Sequence, residues 1–145
     1  IVQVVNVIDT GGGTTTVIAP ADDTIMTWSE GYAFLALSIT PTSSSNKLFI
    51  QVVIALGSSV ASNGTAALFN DTNAISQIGT RLDNSNVPWH IAFNHYMEAG
   101  TTSSIPFYVR AGVSNSATVT HNGWNGVRQQ GGLSASTITI WEIEV

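Results

Sequence analysis

Cysteine is absent from this 145-residue chain, which excludes a disulfide scaffold and any thiol chemistry. Cations are nearly absent as well. Lys47, Arg81, Arg110 and Arg128 stand against nine acids, for a net charge of −5. Nucleic-acid binding draws on Lys and Arg to neutralise phosphates, and four scattered cations cannot form a basic stripe. The same shortage argues against an anionic membrane as partner. No apolar run reaches the roughly 18 residues that a membrane-spanning helix needs. Charged residues make up only 9% of the chain, against about 25% in a typical soluble domain, and Ser, Thr, Asn and Gly take their place. Such a surface suits self-association, because few long charged side chains must be desolvated at a contact. An initiator methionine is also lacking, as is a basic segment followed by an apolar core. The chain opens directly in strand-like sequence, Ile1-Val2-Gln3-Val4-Val5, and reads as a processed or excised piece of a longer protein.

The strong helix formers Lys, Glu, Arg and Leu are scarce, whereas Val, Ile, Thr and aromatic residues are plentiful. Short apolar runs alternate with Gly, Ser, Asn and Pro clusters at the spacing of a sandwich or barrel. The length suits a single domain over residues 1–145, large enough to fold without metal or disulfide. Strands are expected at residues 2–8, 14–19, 24–29, 32–39, 47–56, 66–69, 74–78, 89–97, 105–111, 113–120 and 137–145. Residues 47–56 are apolar on both faces, which predicts a central strand buried from both sides. Asn70-Asp71-Thr72-Asn73 predicts a tight turn between residues 66–69 and 74–78. Residues 89–97 and 105–111 read as a hairpin with His95 opposite Phe107 and Asn94 opposite Tyr108. In the last strand Ile138 and Ile140 are out of phase with Trp141, Ile143 and Val145. Either a bulge near Ile140 reconciles them, or both faces are covered, one by the core and one by a partner subunit.

Four segments carry a resemblance. Val2-Gln3-Val4-Val5 resembles an "LQVV" opening, and Leu37-Ser38-Ile39-Thr40-Pro41 through Ser45-Asn46-Lys47-Leu48-Phe49-Ile50 resembles "SITPSSxSNKILI". Ala67-Leu68-Phe69-Asn70-Asp71-Thr72 is similar to "LxRDxT", with Asn70 where an Arg is usual. Gly132 to Ser136 followed by Thr137-Ile138-Thr139-Ile140-Trp141-Glu142-Ile143 resembles "GxSxSxITxMEI". Together, in order and almost end to end, they resemble the repeated β domain of marine phage tail-fibre and related virion structural proteins. The resemblance implies a structural, usually trimeric protein of a phage particle with no catalytic residues to carry over. The departure at Asn70 removes a basic residue that could meet an acidic glycan. The motifs also have local physical sense: Thr40-Pro41 fixes an extended approach to a loop, and Ser45 and Asn46 can satisfy loop amides.

Candidate chemistry is sparse. His90, His95 and His121 could serve a hydrolase, but no Gly-x-Ser-x-Gly elbow accompanies them, and His95 shares an apolar face with Phe93 and Met97. His90 and His95 differ in strand parity and cannot jointly hold an ion. Asp22 and Asp23 lack the regular Asp-x-Asp series of a calcium loop. Glu142 and Glu144 share a strand face and read as a wet edge, and Glu98 lies beside a turn. Gly11-Gly12-Gly13 and Gly131-Gly132 precede β segments, not the helix of a phosphate loop. Trp89 reads as core. The most suggestive surface feature is His121-Asn122-Gly123-Trp124-Asn125-Gly126, in which Trp124 could stack on a sugar while Asn122, Asn125 and His121 bond hydroxyls. The preferred reading, however, is that Trp124 folds back as a loop plug or packs on a neighbouring subunit.

The expected molecule is therefore an all-β, antiparallel β-sandwich of jelly-roll type with about eight strands. It is expected to be a homotrimer on the virion surface, acting without catalysis, metal or cofactor. Its partners would be itself, other virion proteins and a host-surface glycan, not nucleic acid or membrane. The leading function is a fibre or spike head for host attachment. A capsid decoration protein that cements the shell is the alternative, and a surface-polysaccharide depolymerase the third reading.

Overall fold

The computed structural model describes residues 1–145. Its twelve strands are β1 (Gln3–Asp9), β2 (Gly13–Thr15), β3 (Tyr32–Ile39), β4 (Lys47–Ser58), β5 (Ser62–Asn70), β6 (Asn73–Leu82), β7 (Pro88–Glu98), β8 (Ile105–Val113), β9 (Val119–His121), β10 (Gly123–Trp124), β11 (Val127–Arg128) and β12 (Ser136–Ile143). The only helical piece is a 3-10 turn at Gln130–Gly132. The eight strands β1, β3, β4, β5, β6, β7, β8 and β12 are each seven or more residues long. They form two four-stranded antiparallel layers, β1-β12-β4-β7 and β3-β8-β5-β6. Counted along the chain, the long strands lie in the orders first-eighth-third-sixth and second-seventh-fourth-fifth, the connectivity of a jelly roll.

The two layers bury one core. Leu48, Ile50, Val52 and Ile54 from β4 are fully buried. They meet Ile138 and Ile140 from β12, Leu68 from β5, and Phe107 and Val109 from β8. A register shift between Ala33 and Leu35 lets the consecutive residues Phe34 and Leu35 both turn inward. The turn at 70–73 forms as expected between β5 and β6, with Asp71 at φ 54°.

Several expectations are corrected. β7 and β8 are not a hairpin: β7 pairs with β4, placing His95 opposite Ile50, and β8 lies in the other layer between β3 and β5. Their two apolar faces pack toward each other across the sandwich, which satisfies the same hydrophobic pattern as edge-to-edge pairing. Residues 24–29 contain no strand, and residues 114–118 interrupt the strand expected at 113–120. β12 runs straight, with unbroken registers to β1 and β4. β4 is central, but its outward face at Phe49, Gln51 and Val53 is not buried.

The parity of β12 carries Glu142 inward, so this residue is not a wet edge but is fully buried. Its carboxylate accepts hydrogen bonds from Asn46 Nδ2 (2.7 Å), Gln3 Nε2 (2.6 Å), and the amide and hydroxyl of Thr42 (both 2.8 Å). Burial pushes its carboxyl pKa up, and the hydrogen bonds from Asn46, Gln3 and Thr42 outweigh that and hold it at about 2. The loop it anchors supports further structure. Thr40 O accepts from Gln3 Nε2, Asn46 O from Ala99 N–H, and Ser44 O from Gly100 N–H. One carboxylate thus joins β1, the 40–46 loop and the crossing that leads from β7 to β8.

Replacing Glu142 with Ala strands these buried donors and is expected to lower stability by about 3–5 kcal/mol in urea unfolding. Because the folded carboxyl titrates below its ordinary value, its contribution is complete above about pH 4.5 and is lost as pH falls toward about 2. Urea midpoints of the native chain should therefore drop across that window, and those of Glu142→Gln should drop less. Equal acid slopes in both proteins would contradict the assignment.

Candidate functional site

Residues of alternate parity on β1, β12, β4 and β7 face away from the core. Direct cross-strand partners share a face, so the registers define rows that run across the strands. One row is Val4, Trp141, Phe49 and Tyr96. The next is Asn6, Thr139, Gln51 and Asn94, and the third Ile8, Thr137, Val53 and Ala92. On the other side of the aromatic row come Ile143, Lys47 and Glu98. Trp141 and Phe49 are half-buried, with ring centroids 5.5 Å apart and planes tilted by 36°. Val4 and Tyr96 are 50% and 58% exposed, and Ile8 is 62% exposed.

The electrostatics of this face are simple. Lys47 and Glu98 are the only charges on it, and they pair at 2.9 Å. Asn6 Nδ2 donates to Thr139 Oγ1 (2.7 Å) and to Ile138 O (3.2 Å). Gln51 and Asn94 are exposed. The face is therefore neutral, with a band of rings beside a band of amides.

The opposite layer differs. Residues 16–31, between β2 and β3, fold back over its outward face and bury Ala67 and Phe69 under Ala19 and Met26. Gly112 permits this approach, since a Cβ there would lie 2.9 Å from that of Ala19. Trp28 meets Phe69 and Tyr108 edge-on, and the Arg110 guanidinium sits 4.5 Å from its ring centre. Arg110 also donates to Glu30 O and Gly31 O (2.9 and 3.0 Å). Beside this strap two adjoining troughs of about 480 and 330 Å³ share Asp22 and Gln77. Gln77 is a strut in them: its Oε1 accepts from Met26 N–H and its Nε2 donates to Thr24 O. The troughs contain no aromatic side chain.

The residues nominated from sequence as a glycan contact do not stay together at the surface. Asn122 is fully buried, and its left-handed backbone (φ 52°) turns the chain between β9 and β10. Its Nδ2 donates to Asp9 O (2.7 Å) and Gly11 O (2.8 Å), and its Oδ1 accepts from Ser136 Oγ (2.8 Å). Ser136 Oγ in turn accepts from Ala55 N–H (2.9 Å). These bonds seal the point where β4 changes partner from β12 to β9. His121 is also buried, packed on Phe34 with ring centres 4.7 Å apart. Burial lowers its pKa, against the pull of Asp9, whose Oδ2 lies 3.9 Å from Nδ1. Trp124 folds back onto β4 at Gly57, where a Cβ would come within 2.6 Å of the Trp124 Cβ. Only Asn125 remains exposed. His121 and Asn122 thus have no surface to offer a sugar: backbone carbonyls at a strand junction take the Asn122 amide, and the His121 ring is packed on Phe34.

His90 and His95 lie on opposite faces, as parity requires. His95 is half-buried toward the core side, where burial lowers its pKa, and His90 is exposed. Trp89 is half-buried against the core beside Gly64. Sequence reasoning passed over Asn6, Phe49, Gln51, Asn94, Tyr96 and Trp141 as a group. Their signal was present in pieces: aromatic residues recur in the outward phase of β4, β7 and β12, where an ordinary solvent face is polar.

No family model and no curated protein matches the chain. Among solved structures it is similar to the EclA C-terminal domain, a sugar-binding protein, at 18% identity and TM-score 0.45, over 77% of this chain and 74% of that one. It is similar to a CBM4 structure at 10% identity and TM-score 0.49, over 82% and 72% of the two chains. It is similar to infectious bursal disease virus Gx strain at 16% identity and TM-score 0.42, over 99% of this chain and 37% of that one. At such identities and TM-scores a likeness says nothing about ligand or activity.

Asn122→Ala should remove three hydrogen bonds, one of them fully buried, and place a non-amide residue with a Cβ at positive φ, lowering stability by about 2–4 kcal/mol. Asn122→Gly relieves the backbone but not the stranded carbonyls, so it should recover under half of that loss. Urea unfolding of the two variants measures both. A variant Asn122→Ala as stable as the native chain would refute a structural role for this residue.

Proposed function

We propose that the chain is a non-catalytic structural module of a virus particle, displayed at the virion surface as a homotrimeric fibre or spike head that attaches to a host surface. The observation that carries this reading is the outward face of β1-β12-β4-β7, rich in apolar and aromatic side chains and left open by a chain that covers the matching face of its other layer. Exposed apolar and aromatic side chains gathered in one row support an interaction site. The motifs that carry the phage-fibre resemblance also support it. Gln3 from the opening, Thr42 and Asn46 from the central motif and Glu142 from the close meet at one carboxylate. Residues so far apart in sequence act there as a single folding signature.

A capsid decoration protein is the second reading, and the same uncovered face of β1-β12-β4-β7 would be its seat on a shell. A depolymerase would need an accessible acid. Glu142, the one acid that lies fully buried, is sealed under the 40–46 loop with its oxygens already occupied. Display in three copies would turn weak single contacts into durable attachment.

Sedimentation velocity over a wide concentration range is expected to show a three-chain species, and incubation with host-surface polysaccharide to release no new reducing ends. Antibody labelling of intact particles should mark fibre tips. A stable monomer at high concentration would remove the trimer, label confined to the shell would favour decoration, and shortened polysaccharide would overturn the non-catalytic reading.

A further inference from the structure

We propose that the outward face of the β1-β12-β4-β7 layer binds a neutral, extended glycan lying across the strands, its sugar rings on the Trp141–Phe49–Tyr96 row and its hydroxyls bonded by Asn6, Gln51 and Asn94. This deepens the attachment reading above and rests on it. The first argument is register. Trp141, Phe49 and Tyr96 are direct cross-strand partners, so the rings repeat once per strand, on strands about 4.8 Å apart, and the Trp141 and Phe49 centroids lie 5.5 Å apart. That repeat is close to the length of one pyranose unit in an extended chain, and it runs perpendicular to the strands. Aromatic rings offer apolar contact to the C–H faces of sugars, and Val4 continues the strip by one more strand.

The second argument is the neighbouring row. Asn6, Thr139, Gln51 and Asn94 lie two residues further along each strand on the same face, roughly 7 Å away. Amides and hydroxyls both donate and accept, which matches the equatorial hydroxyls of a chain seated on the rings. Third, the face has no free charge, because Lys47 is matched by Glu98 at 2.9 Å. In a chain of net charge −5, uronic or sulfated polymers find no cation here and meet overall repulsion. Finally, size argues against a second copy as occupant. Four strands and four rows span roughly 300–500 Å², well below the ~800 Å² per partner of a stable protein interface.

The test is affinity electrophoresis of the intact chain in native gels cast with laminarin, mannan, xylan, dextran or hydroxyethyl cellulose, with alginate as the anionic comparator. Retardation by at least one neutral polymer and none by alginate is expected. Tyr96→Ala should weaken the retarded interaction tenfold or more and Asn94→Ala about three- to tenfold. Leu133→Ala, 89% exposed and outside the face, should leave it unchanged. Tyr96 and Asn94 are exposed, so both variants should melt like the native chain, and circular dichroism verifies this. No retardation by any neutral polymer, equal retardation by alginate, or full binding by Tyr96→Ala and Asn94→Ala each overturns the inference. If Tyr96→Ala instead dissociates the oligomer while no polymer binds, the glycan site falls and the structural reading stands. If neither oligomer nor binding exists, both fall.

Discussion

The carboxylate of Glu142 is the constraint on which one end of the sandwich depends. A charge removed from water is costly unless every lone pair finds a donor, and here the donors come from β1 and the 40–46 loop as well as from the chain's own turn chemistry. None of these segments can shift without stranding the charge. The loop therefore holds one geometry, and through Ser44 O and Asn46 O it also positions the crossing at Ala99 and Gly100. A second polar knot at Asn122 does similar work at the other end of β12, where backbone groups of β4, β9 and the β1–β2 turn converge. Apolar packing holds the two layers together, but these two polar sites decide how their ends are joined.

With the ends tied down, the two outward faces have different fates. The β3-β8-β5-β6 layer is roofed by residues 16–31, which the Arg110 fork and the Trp28 ring hold in place. The β1-β12-β4-β7 layer has no such roof, although its outward positions include Trp141, Phe49 and Tyr96. A row of aromatic side chains on the outward face of an antiparallel layer is unusual, since a solvated face is normally polar. The proposed glycan contact would give these rings a partner, and the neutral amide row beside them suits hydroxyl groups.

Much of the fold was legible because its signals are local. Period-two patterning marked β1, β3, β4 and β12, and Asn-Asp-Thr-Asn marked the β5–β6 turn. The errors share a cause. The expected β7–β8 hairpin satisfied the hydrophobic pattern equally well, because alternation reports which face of a strand is buried and not which strand lies beside it. Glu142 looked wet because a buried acid leaves no mark in the pattern unless its donors are known, and they lie 96 to 139 residues away. Asn122 and His121 looked like a sugar-binding loop because Asn-Gly pairs belong to turns whether the turn faces water or plugs a junction. The candidate face was harder still, since its members come from four strands and none is unusual alone.

What the sequence determined by itself was the class of the molecule: residues with β preference, alternating at period two and broken by turn formers, admit only layered antiparallel sheets, and scarce charge leaves a surface of amides and hydroxyls. Tertiary structure decided the rest. It chose which strands became neighbours, buried one acid and one amide as fasteners, and aligned Trp141, Phe49 and Tyr96 into a single row. The physical reason is that strand pairing uses backbone groups every residue shares, so only the packing of the whole chain can select among pairings that local pattern leaves equal.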